Sequence, residues 1–448
     1  MDNSTISYKS HIEKLTYFFI DLEKKHDLLE WEIDGVLAWQ SARIALYMAI
    51  RRLVESHAAL SNRQTILDKF KVFYKRAIIN SIIFNPFLDF TRSDALVFES
   101  GRKYFVDDKY IDIYTKYFCD DLAKDSISHT KYGTNYVADD LAVRSFKVKH
   151  IDFIVLASQL ISYFINTSIS KNDTSKIKII ENEINAALSI KIELGAILIN
   201  EIKKFKSQYP FYKLLFKIKK PRDIYLTDSP SKAPLIKAAK DCNVTVSEFQ
   251  HGLIVKEELV SNFPETKEDS LYYFPNKFLL WDNLNACTAK IPLSNKNIVY
   301  FKNKHLEFMR NKCQDIPRKE KQILIIAQIT GFDAILDFVL NNTAEMKEWQ
   351  FIYKLPAGQT VGAFVDASNF NVSEHKNLKV IGNEQSLYPF MAESKYAIGV
   401  YSTGLIEASY FGCEVLLLNL PGVEQASILI EQNKAKLINA NERLLDYL

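Results

Sequence analysis

Ser402, Thr403 and Gly404 stand between an apolar run that ends at Val400 and a helical pattern that carries Glu407. Phe411-Gly412 closes that helix, and a second apolar run follows from Val415 to Leu418. Strand, hydroxyl-rich turn, helix, glycine stop and strand make one unit of a parallel α/β sheet, where ligands gather at the carboxyl ends of strands. Two hydroxyls beside the free N–H groups and positive end of a helix form an anion site of phosphate size. The segment therefore predicts that something phosphorylated binds here. Plain helix capping by Ser402 or Thr403 would contribute about 1 kcal/mol. A capping box needs Glu three residues after the cap, and from Thr403 that place is Ile406. Glu407 is thus left over, one turn below the anion site, where a carboxylate suits ribose hydroxyls.

Four further segments place reactive residue types at strand ends. Lys354-Leu355-Pro356 ends the run WQFIYK, and a lysine there reaches a phosphate as a point charge. Glu248-Phe249-Gln250-His251-Gly252 follows another apolar strand. His251 suits proton transfer or phosphate binding near neutral pH, Gln250 adds a polar side chain, and Gly252 permits close backbone approach. Asp228, in Thr227-Asp228-Ser229-Pro230-Ser231, is placed to act as nucleophile or general base, or else to cap the helix that follows. Glu99 ends the run ALVFE, and Arg102 opens the charged, aromatic stretch after it. Finally, Lys203 to Arg222 interleaves eight basic residues with five aromatics, a pattern that fits an anionic membrane surface or an exposed helix with snorkelling lysines.

These positions require a scaffold of strands with helices between them. Residues 1 to about 90 read as packed helices, with no proline before Pro86. Ala95–Glu99, Asp223–Thr227, Val244–Phe249 and Lys277–Trp281 read as strands, with a helical stretch from about 141 to 206. The polar, lysine-rich stretch Asn295 to Lys321 reads as a connection, and strands follow at Ile323–Ile326, Gln350–Lys354, Leu378–Ile381, Tyr396–Val400 and Val415–Leu418. The expected fold is α/β, with two Rossmann-like sheets and a long helical entry. An amino-terminal domain over 1–315 would be followed by a nucleotide-binding domain over 316–448.

The totals narrow the function class. A chain of 448 residues exceeds one ordinary core, and 48% hydrophobic with 25% charged residues is a globular composition. A net charge of +3 excludes the global basicity of a nucleic-acid binder. Five scattered cysteines without a CxxC pair fit a reducing cytoplasm and give no zinc pattern. The polar start MDNSTISYKSHIEK shows no signal peptide, and Ile151 to Ile165 is too short and too polar to span a bilayer, so a cytoplasmic protein is expected. GxGxxG after a strand, GxxxxGK[ST], GxSxG and DxD are all missing, so neither a bound cofactor nor a metal is expected. The acid pairs Asp107-Asp108, Asp120-Asp121 and Asp139-Asp140 lie in polar surroundings and read as solvated.

In three places the chain resembles the GT-B glycosyltransferases of bacterial surface polysaccharide synthesis, most closely the group of β-Kdo transferases, capsule Kdo transferases and bacterial sialyltransferases. They are Trp31 to Arg43 (WEIDGVLAWQSAR), the E-F-Q-H-G run at 248–252, and S-T-G-x-x-E-A at 402–408. The resemblance implies a GT-B fold with its active site in the cleft between two Rossmann-like domains. It implies that Ser402, Thr403 and Gly404 grip the phosphate of a CMP-activated sugar, that Glu407 holds the ribose or base, and that Lys354 to Pro356 form a second grip. Leu355 stands before Pro356 where that group places histidine. Catalytic groups would come from the amino-terminal domain, as Asp228 and His251 do. The implied reaction moves Kdo or a related acidic sugar onto a lipopolysaccharide or capsule glycan, with a lipid-linked acceptor and a peripheral contact to the inner membrane. The competing expectations are an NDP-sugar or CDP-polyol transferase, a sugar-nucleotide epimerase, and a non-catalytic scaffold of a glycan assembly complex.

Overall fold

The computed structural model describes residues 11–54, 75–106, 109–133, 148–282, 287–328, 331–356, 359–362, 364 and 375–448. Asp107-Asp108 and Asp139-Asp140 lie outside the described residues. Two parallel sheets organise the chain. The first contains β1 (Ala95–Phe98), β2 (His129–Gly133), β3 (Val148–His150), β4 (Asp223–Leu226), β5 (Thr245–Phe249), β6 (Lys277–Trp281) and β7 (Ile298–Phe301). The second contains β8 (Lys319–Ile326), β9 (Gln350–Lys354), β10 (Leu378–Ile381), β11 (Ser394–Gly399), β12 (Glu414–Leu418) and β13 (Ala435–Ile438). Their orders are β3-β2-β1-β4-β5-β6-β7 and β10-β9-β8-β11-β12-β13.

Each sheet therefore starts in the middle, grows outward to one edge and then jumps back to grow toward the other. That is the doubly wound Rossmann order, and its crevice opens where the direction reverses, beyond the carboxyl ends of the two central strands. In the first sheet this point lies between β1 and β4; in the second it lies between β8 and β11. The central strands are apolar where helices cover both faces. Ala95 to Phe98 and Ile323 to Ile326 are all buried. The carboxyl ends of the two sheets meet, which makes the molecule a two-domain GT-B fold.

The sequence placed most of these strands but missed four: β2, β3, β7 and β13. β2 (HTKYG) and β3 (VKH) are short and carry polar residues, so they have no apolar run to announce them. β7 and the helix Lys304–Lys312 occupy the stretch read as a polar connection. The helical entry holds up over His11–Lys25 and Ala38–Val54, but a two-stranded hairpin interrupts it, pairing Ile33 with Val36. Its turn is Asp34-Gly35, with φ of 51° and 78°, the left-handed pair that tight hairpins require.

The basic, aromatic stretch 203–222 is mostly the end of a long helix, Leu194–Lys219, whose Phe205, Tyr212, Leu215, Phe216 and Lys219 are buried. Lys219 is fully covered and donates to the Thr91 carbonyl at 3.0 Å while pairing with Asp89 at 2.8 Å. About a third of that segment is thus core.

The Trp31–Arg43 segment is structural as well. Arg43 is buried and meets Glu23 through Nε at 2.6 Å and a second nitrogen at 3.1 Å. It also donates to the carbonyls of Leu259 and Asn262, at 2.7 and 3.0 Å. Trp39 Nε1 donates to the same Glu23 carboxylate at 2.7 Å. One buried cation thereby fastens the helical entry to the loop that follows His251-Gly252. Removing Arg43 leaves Glu23 charged, buried and unpaired, which typically costs about 3–5 kcal/mol. Arg43→Ala is expected to lower the urea midpoint far more than the double change Arg43→Met/Glu23→Leu, which removes both charges; equal losses would show that the pair carries no such constraint.

Candidate functional site

In the second sheet, β11 runs into Val400-Tyr401-Ser402, and the helix Thr403–Tyr410 starts at once. Two glycines permit this tight arrangement. A Cβ on Gly399 would lie 2.9 Å from the Ile326 carbonyl of β8, and one on Gly404 would press on the Ile326 side chain at 3.3 Å. Ser402 is the helix cap: its Oγ accepts from the Gly404 N–H at 3.2 Å. The capping role considered from sequence is therefore real for Ser402, and it leaves the hydroxyl proton available to donate. Gln328, just past β8, accepts from the Tyr401 N–H at 3.1 Å and fixes the approach to the turn. Ser402, Thr403 and Gly404 are half-buried, at the edge of an opening.

That opening faces the first sheet. A Cβ built on Gly252 would sit 3.4 Å from Thr403 Oγ1. The E-F-Q-H-G and S-T-G segments, 150 residues apart in the chain, are thus neighbours across the cleft. Gln250 shapes its side of the contact. Its Oε1 accepts from the Trp281 N–H at 2.8 Å and its Nε2 donates to the Gly252 carbonyl at 2.9 Å, so it is a positioning residue within the loop.

Arg102 and Glu407 complete the facing walls. Arg102 donates to the Tyr114 hydroxyl at 3.1 Å, and that hydroxyl donates to the His251 carbonyl at 2.7 Å. Tyr114 also stacks on Trp281, with ring centres 6.4 Å apart. Sequence reasoning passed over Tyr114. Its role depends on the hairpin Lys103–Val106/Lys109–Asp112 folding back beyond β1, and no local spacing shows that. The Glu407 carboxylate makes no hydrogen bond or ion pair among the described residues, and Arg102 is the cation that acts on it. Burial pushes its carboxyl from 4.5 up to about 7, with Arg102 pulling the other way.

Asp228 follows β4 in a left-handed conformation, φ 58°. Its Oδ2 accepts from Ser231 Oγ at 2.9 Å and lies 3.5 Å from Lys232 Nζ. It does not cap the short turn Ser229–Ser231 with its side chain. Lys232 donates to the Thr227 and Asp228 carbonyls, both at 2.7 Å, and so clamps the strained turn. Asp228 is the leading cation-stabilising influence on His251, opposing the burial that lowers the imidazole pKa below 6.5. The imidazole is therefore neutral at neutral pH, with Asp228 and Arg102 in its field.

Glu248 is the residue that sequence reasoning quoted but did not select. It lies in β5 and is fully buried, with Oε1 accepting from the Ser229 N–H at 3.0 Å and Oε2 without a partner. It holds the Asp228 turn from beneath. Burial raises its pKa from 4.5 to about 7, against the Ser229 hydrogen bond and Lys232. A glutamate between Ser247 and Phe249 in a strand whose last four residues are buried was the available signal.

Two predicted residues stand apart from this group. Glu99 is buried beneath Lys103, its short-range partner, with Lys131 at 3.8 Å. Its carboxylate faces those two lysines. Lys354 is buried and donates to the Leu355 carbonyl at 2.8 Å, with Glu384 as its charged neighbour and Pro356 buried beside it. Burial lowers its pKa. Its ammonium is turned to its own backbone and not to the 402–407 turn. A cavity of about 30 Å³ between Arg43, Ser229 and Phe263 lies behind the Asp228 turn, outside the cleft.

No protein-family model matches the chain, and no curated protein matches it. Solved structures similar to it include a UDP-N-acetylglucosamine 2-epimerase, 14% identical with a TM-score of 0.44 over 79% of this chain and 84% of that one. A glycotransferase of kitacinnamycin is 11% identical, with a TM-score of 0.47 over 79% and 87%. MurG of Acinetobacter baumannii is 13% identical, with a TM-score of 0.41 over 77% and 86%. At such distances the fold assignment rests on the strand orders themselves.

Glu248 and Glu407 are each protonated more readily in the folded chain than in the unfolded one. Between pH 4.5 and about 7 the native state holds the extra protons, so the stability these two groups contribute is fully present below that window and is lost as pH rises through it. In Glu248→Gln the side chain cannot ionise, so its melting temperature should decline less than that of the wild type from pH 5 to about 8. Parallel curves for the two proteins would mean that Glu248 is not held in this raised state.

Proposed function

We propose that this chain is a glycosyltransferase that takes a sugar from a nucleotide donor bound at the carboxyl edge of the second sheet. The observation that carries the reading is the approach of Gly252 to Thr403, which brings a proton-handling segment and a phosphate-sized turn to one cleft. The Ser402 and Thr403 hydroxyls and the first N–H groups of the helix would take up the charge that develops on the departing phosphate. Glu407, half-buried and without a hydrogen-bonding partner among the described residues, suits the ribose hydroxyls. The Lys354 ammonium is occupied by a carbonyl, so phosphate neutralisation falls to the 402–404 turn.

In this reading Asp228 takes the proton of the acceptor hydroxyl as its oxygen attacks the anomeric carbon, and the bond from that carbon to the phosphate oxygen breaks. In the alternative order Asp228 attacks first and forms a glycosyl ester that the acceptor then displaces; the product's anomeric configuration distinguishes the two. Neutral His251 donates a hydrogen bond to the leaving oxygen. Arg102 supplies a cation in the cleft, which favours an acidic sugar such as Kdo carried by CMP. The acceptor is a surface glycan on a lipid carrier.

Thermal shifts with CMP, CDP, UDP and GDP should single out one nucleotide, and the change Ser402→Ala/Thr403→Val should abolish its effect. With the matching donor, Asp228→Asn and His251→Ala should each lose at least about a hundredfold in turnover while keeping the nucleotide-induced shift. Near-wild-type turnover in both would remove the proposed chemistry. No shift with any nucleotide would favour a scaffold, and conversion of the free donor without an acceptor would favour an epimerase.

A further inference from the structure

The stretch that follows β1 closes a ring of hydrogen bonds around one buried carboxylate. Asp112, 2% exposed, ends the hairpin strand Lys109–Asp112. Its Oδ2 accepts from the Ser100 N–H at 2.8 Å and from the Ser100 hydroxyl at 2.7 Å. Its Oδ1 accepts from the Tyr114 N–H at 3.2 Å, the Thr115 N–H at 3.1 Å and the Thr115 hydroxyl at 3.0 Å. The Arg102 N–H donates to Ser100 Oγ at 3.0 Å, and the Arg102 guanidinium donates to the Tyr114 hydroxyl at 3.1 Å. Arg102, Ser100, Asp112 and Tyr114 therefore fix one another, and displacing one breaks the bonds of its neighbours.

The outlet of this ring is His251. The Tyr114 hydroxyl donates to the His251 carbonyl at 2.7 Å. Its ring stands edge-on to the imidazole, with centres 6.3 Å apart and planes at 80°, and stacks on Trp281 with planes at 17°. Burial pushes the phenol pKa up to about 12, so the hydroxyl keeps its proton and remains a donor near neutral pH. Gln250 holds the next carbonyl, that of Gly252, at 2.9 Å. Two successive carbonyls of the loop are thus held by side chains.

The imidazole needs such support. A working histidine is commonly steadied by an acceptor on its second ring nitrogen. Here Nδ1 of His251 is buried without a hydrogen-bonding partner among the described residues, and the Phe249 carbonyl reaches the ring from within β5. Asp228 acts on the ring through its charge, while its Oδ2 accepts from Ser231 and faces Lys232. The aim of the imidazole is therefore set by the backbone that carries it and by the Tyr114 ring beside it.

We propose that Tyr114 is a positioning residue for His251, and that the Asp112 carboxylate holds Tyr114 and Arg102 as one unit with it. The proton-handling role of His251 rests on the transferase reading above; the positioning does not. Without the Tyr114 hydroxyl, the His251 carbonyl loses its donor and the Arg102 guanidinium loses its acceptor. The loop then opens to water, with the Tyr114 ring still in place.

The test follows His251 directly, by NMR of the whole chain with ring-labelled histidine, its signal identified by its loss in His251→Ala. The charged and titratable groups that face the ring are Asp228, Arg102, Lys232 and Tyr114. Burial and Arg102 both hold its pKa down, so Tyr114→Phe should broaden or split the signal and raise its titration midpoint toward 6.5. Asp112→Asn should act in the same direction, and Tyr114→Phe decides the matter if that variant does not fold. With CMP-Kdo as donor, Tyr114→Phe should lower kcat about ten- to a hundredfold at an unchanged KM and keep the CMP-induced thermal shift. Tyr117→Phe, which removes a hydroxyl beside Phe308 and His305 on the same segment, should change neither the signal nor kcat. An unaltered His251 signal in Tyr114→Phe would overturn the inference, whatever happens to turnover. So would an equal effect of Tyr117→Phe, which would mean general loosening of the segment. If wild type does not turn over CMP-Kdo, that donor assignment fails and the histidine spectra still decide the positioning.

Discussion

Two crevices, each at the reversal point of a doubly wound sheet, are held mouth to mouth, with Gly252 facing the Thr403 hydroxyl across the cleft. Within the second sheet, Gly399 lets β11 lie against the Ile326 carbonyl of β8. A parallel sheet concentrates unpaired N–H groups and helix starts at its carboxyl edge. Opposing two such edges gives a cleft lined with donors, into which Arg102 projects from one side and Glu407 from the other. The hairpin beyond β1 braces this geometry by setting Tyr104 against Tyr388 of the second domain, ring centres 6.0 Å apart, and Tyr114 against Trp281.

The charges in the cleft are arranged by their supports. Lys232 spends its ammonium on the Thr227 and Asp228 carbonyls, and Glu248 spends one oxygen on the Ser229 amide. Together they hold Asp228 in a left-handed conformation that costs a non-glycine residue of order 1 kcal/mol or more. Strain of that kind persists only where the surroundings over-determine it. Lys232 and Glu248, converging on one turn, do so here.

The sequence alone determined the central strands β1 and β8, because Ala95–Phe98 and Ile323–Ile326 are buried apolar runs whose composition leaves no other use. It also determined that Ser402-Thr403-Gly404 and Glu248 to Gly252 sit at strand ends, since turn chemistry is local. Short polar strands such as β2 and the edge strand β3 were illegible, because HTKYG and VKH carry no apolar run. Only the tertiary structure decided which strand ends face each other. It turned Lys354 and Glu99 to local partners and brought Arg102, Tyr114 and Glu248 to the site. The physical reason is that a side chain's role depends on the charge and burial of neighbours distant in the chain, and hydrophobic periodicity carries no record of them.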